Sequence, residues 1–238
     1  MRSLRKRVHQ PQRRAKAERW LDGPEMPLQP LIDRFFTTPE TQELVSVIRQ
    51  HAKSCETLLE FGCRGGISGL LFLQCLLDSQ AIWRARYVGV DLVEDDSVRN
   101  LRGLAEQNGL SFEFWCGHTK AYPLHETDGL CWDTFHCGGA LFEDLVRVAP
   151  FVKKRIFVLG TKTHAVHSEA TLRNLDATQV ARELQISVDG VKMGMKEGLR
   201  RFLATHPDWR MEREIGEITI LTRTAPAAAT SSTSLFTT

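Results

Sequence analysis

The sequence predicts a doubly wound α/β domain: a mostly parallel seven-stranded sheet with helices on both faces and one antiparallel edge strand. Three observations predict it. Short β-like apolar runs alternate with helix-like stretches from residue 57 to about 159, the order of a parallel sheet built from right-handed crossovers. The first of these runs, TLLEFG, enters a glycine-rich turn that opens a helix. The last two strand-like runs meet at Gly216 as a hairpin.

The chain has 238 residues, 42% hydrophobic and 25% charged. That suits one ordinary domain with tails and excludes a wholly disordered or fibrous protein. No apolar run approaches the ~20 residues of a membrane helix; the longest, around Leu70–Leu77, is interrupted by Gln74. Charge is uneven. Residues 1–20 hold eight basic groups (Arg2, Arg5, Lys6, Arg7, Arg13, Arg14, Lys16, Arg19) against Glu18, within a chain whose net is only +2. The body is therefore mildly acidic and the start is a basic arm. Six cysteines without a C-x-x-C pair read as buried free thiols of a reducing compartment. No apolar stretch follows the basic start as a secretory signal requires. A cytoplasmic protein is expected, with organelle targeting by the arm left open.

The expected organisation is a flexible arm over 1–30, a domain over 31–223 and a disordered tail over 224–238. Three prolines in DGPEMPLQP favour an extended end to the arm. Thr38 can cap a helix with Pro39 at its first position, running to about Lys53. TLLEFG is a strand, Ile67 to about Leu77 a buried helix and RYVGVDL a second strand. Asp95–Asn108 is a helix closed by Gly109. SFEFWCG is a third strand, LCWDTFH a fourth, Gly139–Val148 a helix stopped by Pro150, and RIFVLGT a fifth strand. Residues 161–190 are poorly patterned and read as a loop with one short helix near Thr178–Leu184. Met195–Thr205 is helical, and Trp209 to about Thr222 forms the hairpin.

The chemistry gathers at the first turn. In an open α/β sheet, the carboxyl end of such a strand is the ligand crevice. Gly62 lets the chain turn, Gly65 and Gly66 admit a ligand close to the backbone, and the helix start suits an anionic group, with Ser68 as a hydroxyl donor. The spacing departs from G-x-G-x-x-G, which disfavours a dinucleotide and hence a nicotinamide oxidoreductase. A carboxylate at Glu60 suits a cationic group such as an amine. Asp91, ending the second strand, can accept both hydroxyls of a ribose.

Glu60-Phe61-Gly62-Cys63-Arg64-Gly65-Gly66-Ile67-Ser68 resembles motif I of class I S-adenosylmethionine-dependent methyltransferases. It is nearest the branch of catechol O-methyltransferases and cephalosporin-hydroxylase-like enzymes, and His206-Pro207-Asp208-Trp209 before the hairpin is similar to that branch too. The resemblance covers about residues 40–223 and implies a Rossmann-like fold binding S-adenosyl-L-methionine. Glu60, Gly62 and Gly66 would line the cofactor's methionine end and Ser68 would hold its carboxylate. Asp91 would hold the ribose, and Gly117 and His118 would lie near the adenine. Trp115 is read as a core residue rather than a stacking partner. Asp133 would face the methyl donor and shape the acceptor side. His136 would remove a proton as a neutral imidazole.

Metal-dependent relatives carry an acidic residue after the fifth strand, where this chain has Leu159-Gly160-Thr161. No catalytic metal is expected, and His164-x-x-His167 lacks an evident third ligand. The resemblance thus implies a metal-independent O-methyltransferase acting on a small-molecule or saccharide hydroxyl. Two alternatives stay open: a methyltransferase of RNA or protein, anchored on nucleic acid by residues 2–19, and a cofactor-binding regulatory protein without turnover. Oligomeric state is not readable.

Overall fold

The computed structural model describes residues 28–63, 66–79 and 84–224. The basic stretch 2–19 and the tail beyond Thr224 lie outside the described residues.

The seven strands are β1 (Thr57–Phe61), β2 (Arg86–Asp91), β3 (Ser111–Cys116), β4 (Thr127–Trp132), β5 (Val152–Leu159), β6 (Trp209–Ile215) and β7 (Ile218–Arg223). They run in the order β3-β2-β1-β4-β5-β7-β6. β1 pairs in parallel with both β2 and β4, and β7 pairs antiparallel with both β5 and β6. The antiparallel strand belongs to the hairpin that closes this edge of the sheet, with Gly216 at φ +52° in its turn. Strand order reverses between β1 and β4, and the carboxyl ends of strands at such a reversal are where open α/β sheets bind their ligands.

The helices are α1 (Leu28–Phe35), α2 (Pro39–Ala52), α3 (Ile67–Leu77), α4 (Asp96–Gln107), α5 (Gly138–Val148), α6 (Glu169–Leu172), α7 (Ala177–Leu184), α8 (Val188–Lys192) and α9 (Met195–Thr205). Their starts follow the sequence. Thr38 and Thr41 form a reciprocal cap with Pro39 at the first turn of α2. Asp95 accepts the Val98 N–H at 3.1 Å to open α4. One face of the sheet buries Leu58 and Tyr87 under α1 to α4. The other buries Leu59, Phe61, Leu130 and Trp132 under α5 and α9. Period-two alternation along β1 thus points Glu60 to the α3 side, with Leu58.

Three boundaries differ from the sequence expectation. α1 begins inside the stretch read as arm, because Leu28, Leu31 and Ile32 supply an apolar stripe that packs into the core. β4 stops at Trp132, so Asp133 and His136 stand on the turn beyond it. Residues 161–190 hold three short helices, α6, α7 and α8, rather than one. Two are only four and five residues long, too short to form from local propensity alone. They are held by tertiary contact. Backbone presses on backbone where this segment meets α5: a Cβ added at Gly139 would fall 2.5 Å from Gly190 Cα, and one at Gly138 2.3 Å from the Gly194 carbonyl. The Gly138 N–H also donates to the Met193 carbonyl at 2.7 Å.

Candidate active site

The carboxyl ends of four strands are laced together by the backbone. The Gly62 N–H donates to Val90, the Asp133 N–H to Phe61 and the Gly117 N–H to Asp91, each at 2.8 Å. Gly62 takes φ +84°, and a Cβ there would lie 2.1 Å from the Asp133 carbonyl oxygen. Only glycine meets both demands. Gly66 is the left-handed N-cap of α3 (φ +65°), makes no side-chain cap bond and is followed by no acidic residue in the first turn. That end of α3 therefore presents backbone N–H groups to an anion. Arg64 and Gly65, in the middle of the turn, lie outside the described residues.

Glu60 and Ser68 are brought together, but in a different relation from the expected one. Glu60 is 0% exposed. Its carboxyl accepts the Ser68 hydroxyl at 2.5 Å and the Tyr87 hydroxyl, with the Cys131 thiol at 3.8 Å. Burial pushes the Glu60 carboxyl up to about 7, against the downward pull of Ser68 and Tyr87. A fully buried carboxyl does not reach a ligand amine, and a hydroxyl donating its one proton to Glu60 does not also donate to a ligand carboxylate. The pair braces the turn from below: strand β1, strand β2 through Tyr87 and helix α3 through Ser68 meet at one carboxyl.

Asp91 is half-buried at the end of β2, and its Oδ1 accepts the Leu92 N–H at 2.6 Å. Leu92, Val93 and Trp115 beside it are exposed apolar residues. Trp115, read from sequence as core, is 39% exposed with its ring edge-on to Tyr122. The cause is that β3 is an edge strand with every residue at least partly accessible. Gly117 follows it, packed against the Trp115 indole. His118 caps the next turn, its Nδ1 accepting the Lys120 N–H at 3.2 Å, and burial lowers its pKa.

Beyond β4, Asp133 and His136 meet, and a third group joins them. His136 Nε2 lies 3.2 Å from Asp133 Oδ1, an ion pair rather than an aligned hydrogen bond. On the other side, Nδ1 lies 3.4 Å from Glu169 Oε2, which also accepts the His136 backbone N–H at 3.2 Å. Arg173 donates to the other Glu169 oxygen at 2.5 Å. Burial works to lower the His136 pKa, yet the two carboxylates outweigh it and raise it to about 9. Burial works to raise Glu169, yet His136 and Arg173 outweigh it and bring it to about 2. The expectation of a neutral imidazole base meets a setting that favours the other form: carboxylates on both sides pull the ring toward the imidazolium. His164 stacks on it, centroids 4.7 Å apart and planes 15° apart. Gly160 (φ +76°) makes the room, since a Cβ there would fall 2.2 Å from His136 Cδ2. The position where metal-dependent relatives carry an acid is, in this chain, filled by the imidazole.

Sequence reasoning missed Glu169, 33 residues from its partner. It also missed Asp144, buried on α5, which accepts from the Trp132 indole at 3.0 Å and from Thr119. The one signal for Glu169 was Ser168 before it, a helix-capping residue that places an acid in a first turn. His167 contributes an isolated backbone bridge to Met193. Among the described residues no group of three or more His, Cys, Asp or Glu is arranged to hold a metal ion, and no helix is long and apolar enough to cross a membrane.

No family model matches the chain, and no curated protein matches it by sequence. Solved structures do match its fold. One is magnesium protoporphyrin IX methyltransferase from Synechocystis with bound S-adenosylhomocysteine: 13% identity, 88% of this chain and 93% of that one, TM-score 0.52. Another is a Staphylococcus aureus protein assigned as a caffeoyl-CoA O-methyltransferase: 13% identity, 89% and 90% coverage, TM-score 0.50. The likeness establishes the fold: the chain has the Rossmann-like fold of S-adenosylmethionine-dependent methyltransferases.

Proposed function

We propose that the chain is an S-adenosyl-L-methionine-dependent methyltransferase that methylates an oxygen of a small molecule. The observation that carries this reading is the uncapped start of α3 standing next to the end of β2, where the Gly62 N–H donates to Val90 at the reversal of strand order. An anion-seeking helix terminus, a ribose-seeking carboxylate at Asp91 and exposed apolar surface at Leu92, Val93 and Trp115 stand in the order that an amino-acid nucleoside requires. The two structures named above are both described as methyltransferases. The cofactor residues we propose are Gly62, Gly66, Asp91 and Gly117, with Glu60 and Ser68 bracing them from beneath.

When bound, the cofactor supplies a methyl group already activated on a sulfonium. The residues of this chain then orient the acceptor and exclude water. Asp133, beside Gly62 at the reversal of strand order, would face the acceptor in this reading. Leu159-Gly160-Thr161 bears no carboxylate, which supports metal-independent transfer. Calorimetry of the full chain with S-adenosylhomocysteine and with NAD tests the assignment. Binding of the first alone, weakened roughly tenfold or more in Asp91→Ala, is expected for loss of a ribose contact of about 1.4 kcal/mol or more. Preference for NAD, or indifference to the Asp91 change, would overturn it. The basic residues 2–19 support a second reading, an RNA or protein acceptor. Their deletion would then lower acceptor affinity in a salt-dependent way.

A further inference from the structure

The clamp around His136 constrains the acceptor, an inference that rests on the methyltransferase reading above. Both ring nitrogens face carboxylate oxygens, Nε2 toward Asp133 at 3.2 Å and Nδ1 toward Glu169 at 3.4 Å. A neutral imidazole has one N–H and one bare lone pair, so whichever nitrogen was bare would set its lone pair against an anion. Only the doubly protonated ring sets no lone pair against an anion. The remaining neighbours agree: Gly160 and the edge-on Trp132 ring are uncharged, His164 stacks on the ring face, and Arg173 balances the far oxygen of Glu169.

A hydroxyl acceptor releases a proton as its oxygen bonds to the methyl carbon, and that proton needs a base. His136 has no lone pair to offer. Glu169 is committed to His136 and Arg173. The Cys137 thiol is buried and pushed up to about 11. Asp133 is paired with the imidazolium, and His164 stacks on the ring face.

We propose that the acceptor's nucleophilic oxygen is already an anion when it binds: a carboxylate, or a phenol or enol made acidic by an electron-withdrawing group. The anionic oxygen bonds to the methyl carbon, the carbon–sulfur bond breaks, and its electron pair stays on sulfur. Anion and sulfonium cancel, and no proton is left to place. His136 is then a positioning residue, a fixed positive charge that holds Asp133 and Glu169 and keeps the cluster from repelling an anion.

Calorimetry with S-adenosylhomocysteine comes first, because absence of binding overturns the methyltransferase reading and this inference together. In the complex, nitrogen NMR of the histidine-labelled full chain, with His136→Gln for assignment, reads the ring directly. Two protonated nitrogens are expected at pH 7, with the midpoint falling by about one unit or more in Glu169→Gln. A neutral ring at pH 7 overturns the proposal and leaves the cofactor assignment standing. Transfer from methyl-labelled S-adenosylmethionine is then compared for benzoate, 4-nitrophenol and benzyl alcohol. The ionised pair should react roughly tenfold faster or more, and benzoate should show a flat rate between pH 6 and 8. Equal transfer to benzyl alcohol, or a benzoate rate that rises across that range, overturns it. Where none of the three is methylated, the nitrogen spectra alone decide.

Discussion

Glu60 and Glu169 are the same residue type at the same end of one sheet, and their surroundings drive them in opposite directions. Glu60 is buried among hydroxyls and a thiol, and its carboxyl rises to about 7. Glu169 is partly buried and meets an imidazolium and a guanidinium, and it falls to about 2. The difference teaches that neutral donors do not make up for lost water around a carboxylate, whereas full charges do. One side of the site is thus a neutralising brace and the other an ionic clamp.

The largest effect should come from breaking the joint between them. Gly62→Ala forces a side chain into the Asp133 carbonyl at a left-handed backbone angle. A loss of roughly 3–5 kcal/mol in urea unfolding is expected; a loss below about 1 kcal/mol would mean that the two sides are not tightly joined. Next comes Glu169→Gln, which leaves His136 with one carboxylate and removes the Glu169–Arg173 ion pair. We expect a loss of about 2–3 kcal/mol at pH 7.

The pH dependence separates the two sides. His136 is raised when folded, so its contribution is complete below about 6.5 and is lost as pH climbs through about 9. Glu60 is an acid whose folded value is raised, so stability also falls as pH rises, between about 4.5 and 7. Unfolding measured from pH 5 to 9.5 should show both declines, and Glu169→Gln should flatten only the upper one. Tyr87→Phe acts on the lower one. It removes a donor to Glu60, costs about 1–2 kcal/mol and shifts that decline to higher pH. The smallest effect is a control: Arg99→Ala breaks an exposed ion pair with Asp96 and should change stability by less than about 0.5 kcal/mol.

Most of the fold was legible because each long element carries its own signal. Thr38-Pro39 opens α2, Gly109 closes α4, and the runs TLLEF and RYVGVD have the composition of buried parallel strands. The segment from 161 to 190 was not legible, because its short helices exist through tertiary contact rather than through periodicity, α8 against α5 and α6 against α7 and α8. In the site, the positions of Gly62, Asp91 and Asp133 followed from strand ends. The state of His136 did not, because it depends on Glu169, a residue whose importance arises only when the chain folds back. Glu60 was correctly placed on its strand, but alternation alone did not reveal that its carboxyl lies wholly beneath α3.

The seam between Gly138–Gly139 and Gly190–Gly194 has a consequence for how new acceptor preferences would arise. Two main chains in direct touch leave no intervening layer of side chains to slip, compress or repack, so the excursion beside His136 is bolted in place instead of hinged. In the proposed reaction, an acceptor would then have to fit a fixed surround. Retuning such a surround is work for its outward-facing trim, such as Val166 and Leu172, while the bolts stay as they are.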